Sequence, residues 1–295
     1  MAVSNFGRFG RDTVLDGRWS TSARSGSPLL VCLHGGGYDS GYFDVPGHSL
    51  LSLAAEAGFP AVALTRPGHP ASESSARRQP SFSEAATIII EAIEDVWQRF
   101  GEGRPGVVLL GHSIGAAVAV HVAAQKRSWP LLGLTVSGVG DVVTSRAKEQ
   151  FAQFPPDIAI RFPLEATRQM LYGPDWTLHE TVLADIAELP VSTPSADMVE
   201  MGLRWAADLP GLALSVDVPV HYVLAEFDGF WDVSQERVDS FAGLFPAAPF
   251  VDASLWRGTG HCIEHHRLGE AYGRTVLAFA ERCAMEPRRP DHQGG

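Results

Sequence analysis

The chain has 295 residues, a formal net charge of −11, 45% hydrophobic and 19% charged residues, 30 glycines and 20 prolines. This length suffices to bury a full core, and the turn-rich composition excludes a disordered or coiled-coil chain. An acidic balance, with Lys126 and Lys148 the only lysines and no Lys/Arg block, excludes a general binder of nucleic acid or anionic membrane, partners that basic surfaces hold.

Residues 1–28 are polar, with room for an edge hairpin around Phe6–Trp19. Leu29–Leu33 is a continuous apolar run that stops at His34-Gly35-Gly36-Gly37, as a buried strand running into a glycine loop does. Gly41–Phe59 reads as loop then helix, with Leu50, Leu51, Leu53, Ala54 and Ala57 on its apolar side and Gly58 as its stop. Pro60–Leu64 is the next strand, followed by the turn Arg66-Pro67-Gly68-His69. Over Ser83–Phe100, Ile89, Ala92, Ile93, Val96 and Phe100 recur at helical spacing with a broad apolar face, which predicts a helix lying on a sheet. Val107–Leu110 enters Gly111-His112-Ser113-Ile114-Gly115 and then an Ala/Val-rich helix. Leu131–Ser137 is a further apolar strand, ending in Gly138-Val139-Gly140-Asp141. This alternation of strand and helix predicts an α/β fold with a mostly parallel sheet and helices on both faces.

From Val142 to Leu214 the rhythm breaks into proline-separated helical stretches without a good internal strand. Phe151, Phe154, Phe162, Met170, Leu171, Trp176, Met198, Met201 and Trp205 either pack this segment or line an apolar pocket. The expected organisation is a core of residues 1–141 and 215–295 with a helical cap, 142–214, inserted in it. Val218–Ala225 restores the sheet and delivers Glu226-Phe227-Asp228. A last strand, roughly Phe250–Trp256, is followed by Arg257-Gly258-Thr259-Gly260-His261, then a helix from Leu268 to about Cys283 and a polar tail over Glu286–Gly295.

Cys32, Cys262 and Cys283 are odd in number and lack metal-ligand spacing, favouring a reduced compartment over a disulfide scaffold. No run approaches the ~18 apolar residues of a membrane span, and no basic-then-apolar leader is present. The expectation is a soluble, cytoplasmic protein with no stable membrane insertion, no nucleic-acid partner, no cofactor and no metal. The clustered Glu264, His265 and His266 match no standard metal spacing.

Gly-x-Ser-x-Gly between a buried strand and a helix is the arrangement that exposes a strained serine hydroxyl, and Ser113 occupies it. The flanking glycines fit a turn so tight that a Cβ would collide with neighbouring backbone. The uncovered peptide N–H groups of the early glycine loop suit a developing oxyanion. A serine needs a base, and His261 stands just beyond the last strand. Asp228 is the preferred carboxylate to orient it, with Asp141 the alternative. The order Ser, Asp, His fits this sheet architecture.

Together, Gly111-His112-Ser113-Ile114-Gly115, His34-Gly35-Gly36-Gly37, Arg66-Pro67-Gly68-His69, Glu226-Phe227-Asp228 and Gly260-His261 resemble the alpha/beta-hydrolase superfamily in a form with a helical cap, over about residues 28–283. The resemblance implies Ser113 as nucleophile, Asp228 as acid, His261 as base, and an oxyanion hole from the backbone N–H groups of Ile114 and Gly36. It implies a serine hydrolase acting on an ester or thioester of an apolar small-molecule acyl substrate. Non-hydrolytic cyclases or lyases, small-molecule binders, and amide or carbon–carbon hydrolases on the same fold stay open, as do the natural substrate and oligomeric state.

Overall fold

The computed structural model describes residues 4–22, 24–69, 79–155, 158–187 and 192–285. In chain order the strands are β1 (Asn5–Phe9), β2 (Leu15–Ser20), β3 (Leu29–Leu33), β4 (Ala61–Leu64), β5 (Val107–His112) and β6 (Leu131–Ser137). Then come β7 (Ala159–Ile160) and β8 (Thr193–Pro194), which pair as a separate ribbon, and β9 (Val220–Phe227) and β10 (Val251–Gly260). The other strands form one 8-stranded sheet in the order β1-β2-β4-β3-β5-β6-β9-β10. β1, β2 and β4 pair antiparallel in succession; every neighbour from β4 to β10 is parallel.

The helices are α1 (Leu50–Glu56), α2 (Phe82–Phe100), α3 (Ile114–Ala124), α4 (Ser145–Ala152), α5 (Leu164–Thr167), α6 (Val182–Ala187), α7 (Ser195–Leu203), α8 (Trp205–Ala213), α9 (Gln235–Gly243) and α10 (Gly269–Met285). Alternating side chains divide the core between the two faces of the sheet. Leu29, Val31 and Leu33 of β3 pack with residues of α2 and α3, while Leu30 and Cys32 pack with those of α1 and α10. A strand covered on both faces has no polar side to present, which is why β3, β5 and β6 read as unbroken apolar runs. A capping box starts α2: the Ser81 hydroxyl accepts from the Glu84 N–H, and the Glu84 carboxylate accepts from the Ser81 N–H at 2.8 Å.

The chain leaves β3 for β4 on one side and returns through α2 to β5 on the other. The strand order therefore reverses between β3 and β5, and the loops beyond their carboxyl ends border a crevice.

The structure adjusts two expectations. The segment between β6 and β9 is not purely helical, because it contains the ribbon, with Ile160 opposite Thr193. A two-residue strand carries no readable periodicity. The last strand also runs to Gly260, continuing through a register shift after Trp256 where Gly258 adopts φ 73°. The polar tail expected over Glu286–Gly295 lies outside the described residues. Among the described residues no helix is long and apolar enough to cross a membrane.

Candidate active site

The turn after β5 holds Ser113 at φ 54°, ψ −122°, the one non-glycine residue with positive φ among those described. Such a conformation costs on the order of 1–3 kcal/mol and persists only where surrounding contacts over-determine it. They do so here. The Ser113 N–H donates to the Ser137 carbonyl at 2.8 Å, and its carbonyl accepts from Ala116 and Ala117 in the first turn of α3. Both flanking glycines are required by space. A Cβ on Gly111 would lie 2.5 Å from the Ala116 Cα, and one on Gly115 would lie 2.1 Å from the Leu33 carbonyl oxygen. The N–H of Ile114 stands at the first helical position, where no intrahelical acceptor exists.

Across the crevice, His34 anchors the glycine loop. Its Nδ1 donates to the Gly35 carbonyl at 2.7 Å, and its Nε2 accepts from the Arg66 N–H at 3.0 Å. Burial, with Arg66 beside it, keeps this imidazole neutral, well below its usual range, as one donor and one acceptor require. The Arg66 guanidinium donates from Nε to the His34 carbonyl at 2.9 Å and pairs with Asp197 of α7 at 2.9 Å, both side chains only 2% exposed. The Arg66–His69 turn thus ties the glycine loop to the inserted segment. Gly35 abuts the Ser113 Cβ, and Gly36 abuts the side chains of Ile114 and Thr193.

His261 follows the last residue of β10. Its Nδ1 donates to Asp228 Oδ2 at 2.7 Å, and the other carboxylate oxygen accepts from the Phe230 N–H at 3.0 Å. Both side chains are buried. The ring meets Phe230 and His112 edge-on, each at a centroid distance of 4.9 Å. Nε2 is left as the ring nitrogen without a partner among the described residues. Gly138, at φ 65°, makes room for this ring: a Cβ there would lie 3.1 Å from the His261 Cε1. Asp141 is held elsewhere, accepting from the Ser240 hydroxyl at 2.7 Å and standing 3.7 Å from the Arg237 guanidinium on α9. The structure therefore brings Asp228, and not Asp141, to His261.

Ser113, Ile114, Gly36 and His261 line one cavity of ≈ 200 Å³. Its other walls include Phe151, Phe162, Met170, Leu171, Met198 and Met201 of the inserted segment. Trp205 instead is buried, donating to the Gly140 carbonyl at 3.0 Å, and Trp176 is mostly exposed. Of the loop aromatics, Tyr38 lines the cavity, whereas Tyr42 is buried behind it.

Behind the site lies a polar cluster that sequence reading did not assemble. Tyr42 stacks on His112 at 4.6 Å and donates to Glu264 at 2.5 Å. Glu264 lies 3.9 Å from His112 Nδ1, and burial raises its carboxyl to about 7. Tyr172 shares hydrogen bonds with Tyr38 at 2.7 Å and His265 at 3.0 Å, and His266 Nε2 accepts from the Gly260 N–H at 2.9 Å. Burial pushes the Cys262 thiol above its usual range, so it is an inert neighbour of His261. These partners lie up to 223 residues apart. The one sequence signal was the concentration of ionisable residues after His261.

Among curated proteins, the chain is 34% identical to Bos taurus protein phosphatase methylesterase 1 over 118 residues, 39% of this chain and 30% of that protein. The human counterpart is 31% identical over the same length, 39% and 29% of the two chains. The match thus spans less than a third of those relatives. Among solved structures, a soluble variant of the monoglyceride lipase of Saccharomyces cerevisiae superposes with a TM-score of 0.75 at 12% identity, covering 96% of each chain. An esterase from Thermogutta terrifontis does so with a TM-score of 0.62 at 18% identity, covering 94% and 97%. At these identities the likeness is one of fold. The alpha/beta hydrolase family model matches residues 30–271, from β3 through the serine turn, the loop after β9 and the start of α10. The mostly parallel sheet and the sequence relation agree, and the chain belongs to the alpha/beta hydrolase family.

Proposed function

We propose that this protein is a serine hydrolase that cleaves a carboxylic ester or thioester of an apolar small-molecule acyl substrate through an acyl-enzyme. The observation that carries this reading is the His261 Nδ1–Asp228 Oδ2 hydrogen bond of 2.7 Å, in a ring that lines the same cavity as the strained Ser113. In this reading Asp228 fixes the imidazole tautomer that keeps Nε2 free to accept the Ser113 proton, and supports the imidazolium that results. Ser113 Oγ attacks the acyl carbon, and the oxyanion is received by the backbone N–H groups of Ile114 and Gly36. His261 gives its proton to the leaving group. Water, deprotonated by the same nitrogen, then releases the acid and restores Ser113.

The segment 142–214 serves in this reading as a cap whose Phe and Met side chains receive the acyl group. Esters are favoured as the bond because the relatives and neighbours are described as a methylesterase, an esterase and a lipase. A fitted methylene contributes about 0.8 kcal/mol, so catalytic efficiency should rise up to about fourfold per carbon until the pocket fills.

The test is turnover of a panel of acetyl, medium-chain and ring-bearing esters, a thioester and an amide, by the wild type and Ser113→Ala. The expected result is best efficiency on the medium-chain or cyclic esters or thioesters, and a loss of at least roughly three decades in the folded variant. Near-normal turnover by folded Ser113→Ala, or turnover of the amide alone, would overturn it.

A further inference from the structure

Among the described residues lining the cavity, Arg161 is the one arginine, lysine, aspartate or glutamate; the rest are apolar, aromatic, histidine or uncharged polar side chains. It follows β7 directly, is exposed at the rim, and makes no hydrogen bond, ion pair or aromatic contact with any described residue. The neighbouring arginine of the same segment, Arg168, is by contrast paired with Asp175. The partner strand of the ribbon adds a second unsatisfied group. Thr193, opposite Ile160, is 1% exposed, and its hydroxyl has no partner among the described residues. It lines the same cavity, its Oγ1 3.2 Å from where a Cβ on Gly36 would stand. A buried hydroxyl without a partner is costly, and at a pocket wall a water or a ligand that enters the pocket can supply one. The ribbon thus brings both groups to a largely apolar cavity, the hydroxyl beside the glycine loop and the cation at the rim.

We propose that the substrate carries a carboxylate at the end of the group that occupies this cavity, and that Arg161 receives it. The substrate class is then the half-ester or half-thioester of a dicarboxylic acid, with the reacting carbonyl at Ser113, the Thr193 hydroxyl bonding a polar atom near that carbonyl, and the distal carboxylate on the guanidinium fork. This rests on the ester-hydrolase reading of the same cavity. A planar guanidinium offers two parallel N–H donors to a carboxylate, a match that a lysine does not reproduce. At the rim the pair meets solvent on one side and the apolar wall on the other, so its contribution lies between that of a surface ion pair and a buried one.

The experiment compares p-nitrophenyl hexanoate with mono-p-nitrophenyl adipate, and phenyl hexanoate with p-carboxyphenyl hexanoate, for the wild type, Arg161→Gln and Arg161→Lys. The first pair places the carboxylate on the acyl side and the second on the leaving group. The expected result is that Arg161→Gln lowers kcat/KM for the adipate ester by about five- to thirtyfold more than for the hexanoate ester, a loss reduced but not abolished in Arg161→Lys. The wild-type preference should weaken with salt. Losses within about twofold of each other for both acyl esters, or a differential confined to the p-carboxyphenyl ester, would overturn it. Calorimetry with adipamic acid and hexanamide separates this proposal from the hydrolase reading. If no ester is turned over, that reading fails, and Arg161-dependent binding of adipamic acid still supports the anion site. Binding indifferent to Arg161→Gln overturns the site whether or not esters are cleaved.

Discussion

The cavity has two walls built on opposite plans. The loops beyond β3, β5, β9 and β10 are fixed by backbone: Gly111 and Gly115 have no room for a Cβ, Ser113 is strained into place, His34 and Asp228 each hold two partners, and Gly138 makes room for the His261 ring. The facing wall, from the segment between β6 and β9, is made of Phe and Met side chains on short helices and a two-residue ribbon. Groups that move protons need fixed positions, whereas groups that select an apolar shape need only volume. Substitutions in the first wall should therefore change rate by decades, and those in the second should change which substrate is preferred.

The largest effect should separate the two carboxylates. Asp228→Asn should lower turnover by about three to four decades with the fold retained, because His261 loses the acceptor that fixes its tautomer. Asp141→Asn, which faces Ser240 and Arg237, should leave turnover within a few-fold and show its effect in thermal melting. Inactivity of Asp141→Asn with an active Asp228→Asn would invert the assignment.

The tie between the walls comes next. Removing the carboxylate in Asp197→Ala leaves the buried Arg66 guanidinium uncompensated, which should cost about 3–5 kcal/mol in denaturant unfolding. Arg66 also holds the His34 carbonyl, so variants that remain folded should lose turnover as well. A loss under about 1 kcal/mol would mean that the pair is solvated in solution.

A smaller effect concerns the polar cluster behind the loop wall. Burial holds His112 well below its usual range and lowers His265 from 6.5 to about 3 and His266 to about 4. Values depressed in the folded state mean that their contribution is complete above the unfolded value of 6.5 and is lost as the pH falls below it. Glu264, raised from 4.5 to about 7, acts in the opposite sense: its contribution is complete below 4.5 and is lost as the pH rises through 7. With three such histidines set against one glutamate, melting temperature should fall on acidification below about pH 6. Glu264→Gln, which cannot ionise, should raise it at about pH 8 more than at about pH 5. An equal change at both would show that Glu264 is ionised throughout that range.

The smallest change belongs to the facing wall. Met170→Trp, at a half-buried lining position, should shift the preferred acyl chain shorter by one or two carbons while sparing the best kcat to within a few-fold. A uniform loss across chain lengths would place Met170 in the support of the loops.

The same contrast governs what was legible in the sequence. The serine turn was readable because its requirements are local: a strand, two glycines where backbones collide, and a helix within a few residues. The strong strand before Asp228 favours it over Asp141, and the structure brings it to His261. The ribbon was invisible because two residues carry no period. β10 outran its predicted end because an edge strand continues through a bulge at Gly258, where glycine reads as a stop. The Tyr42–His112–Glu264 cluster joins residues from three distant parts of the chain, and no local pattern announces such a contact.

The central claim is that Ser113 is a nucleophile activated by His261 and Asp228. Its most direct test is intact-mass and peptide-mapping analysis after exposure to a fluorophosphonate, for the wild type, Asp228→Asn and Ser113→Ala. The account predicts one adduct per chain, located on the peptide containing Ser113, formed at least about a hundredfold more slowly in Asp228→Asn and absent in Ser113→Ala. An adduct on another residue, or labelling of Ser113 at an undiminished rate in Asp228→Asn, would contradict it.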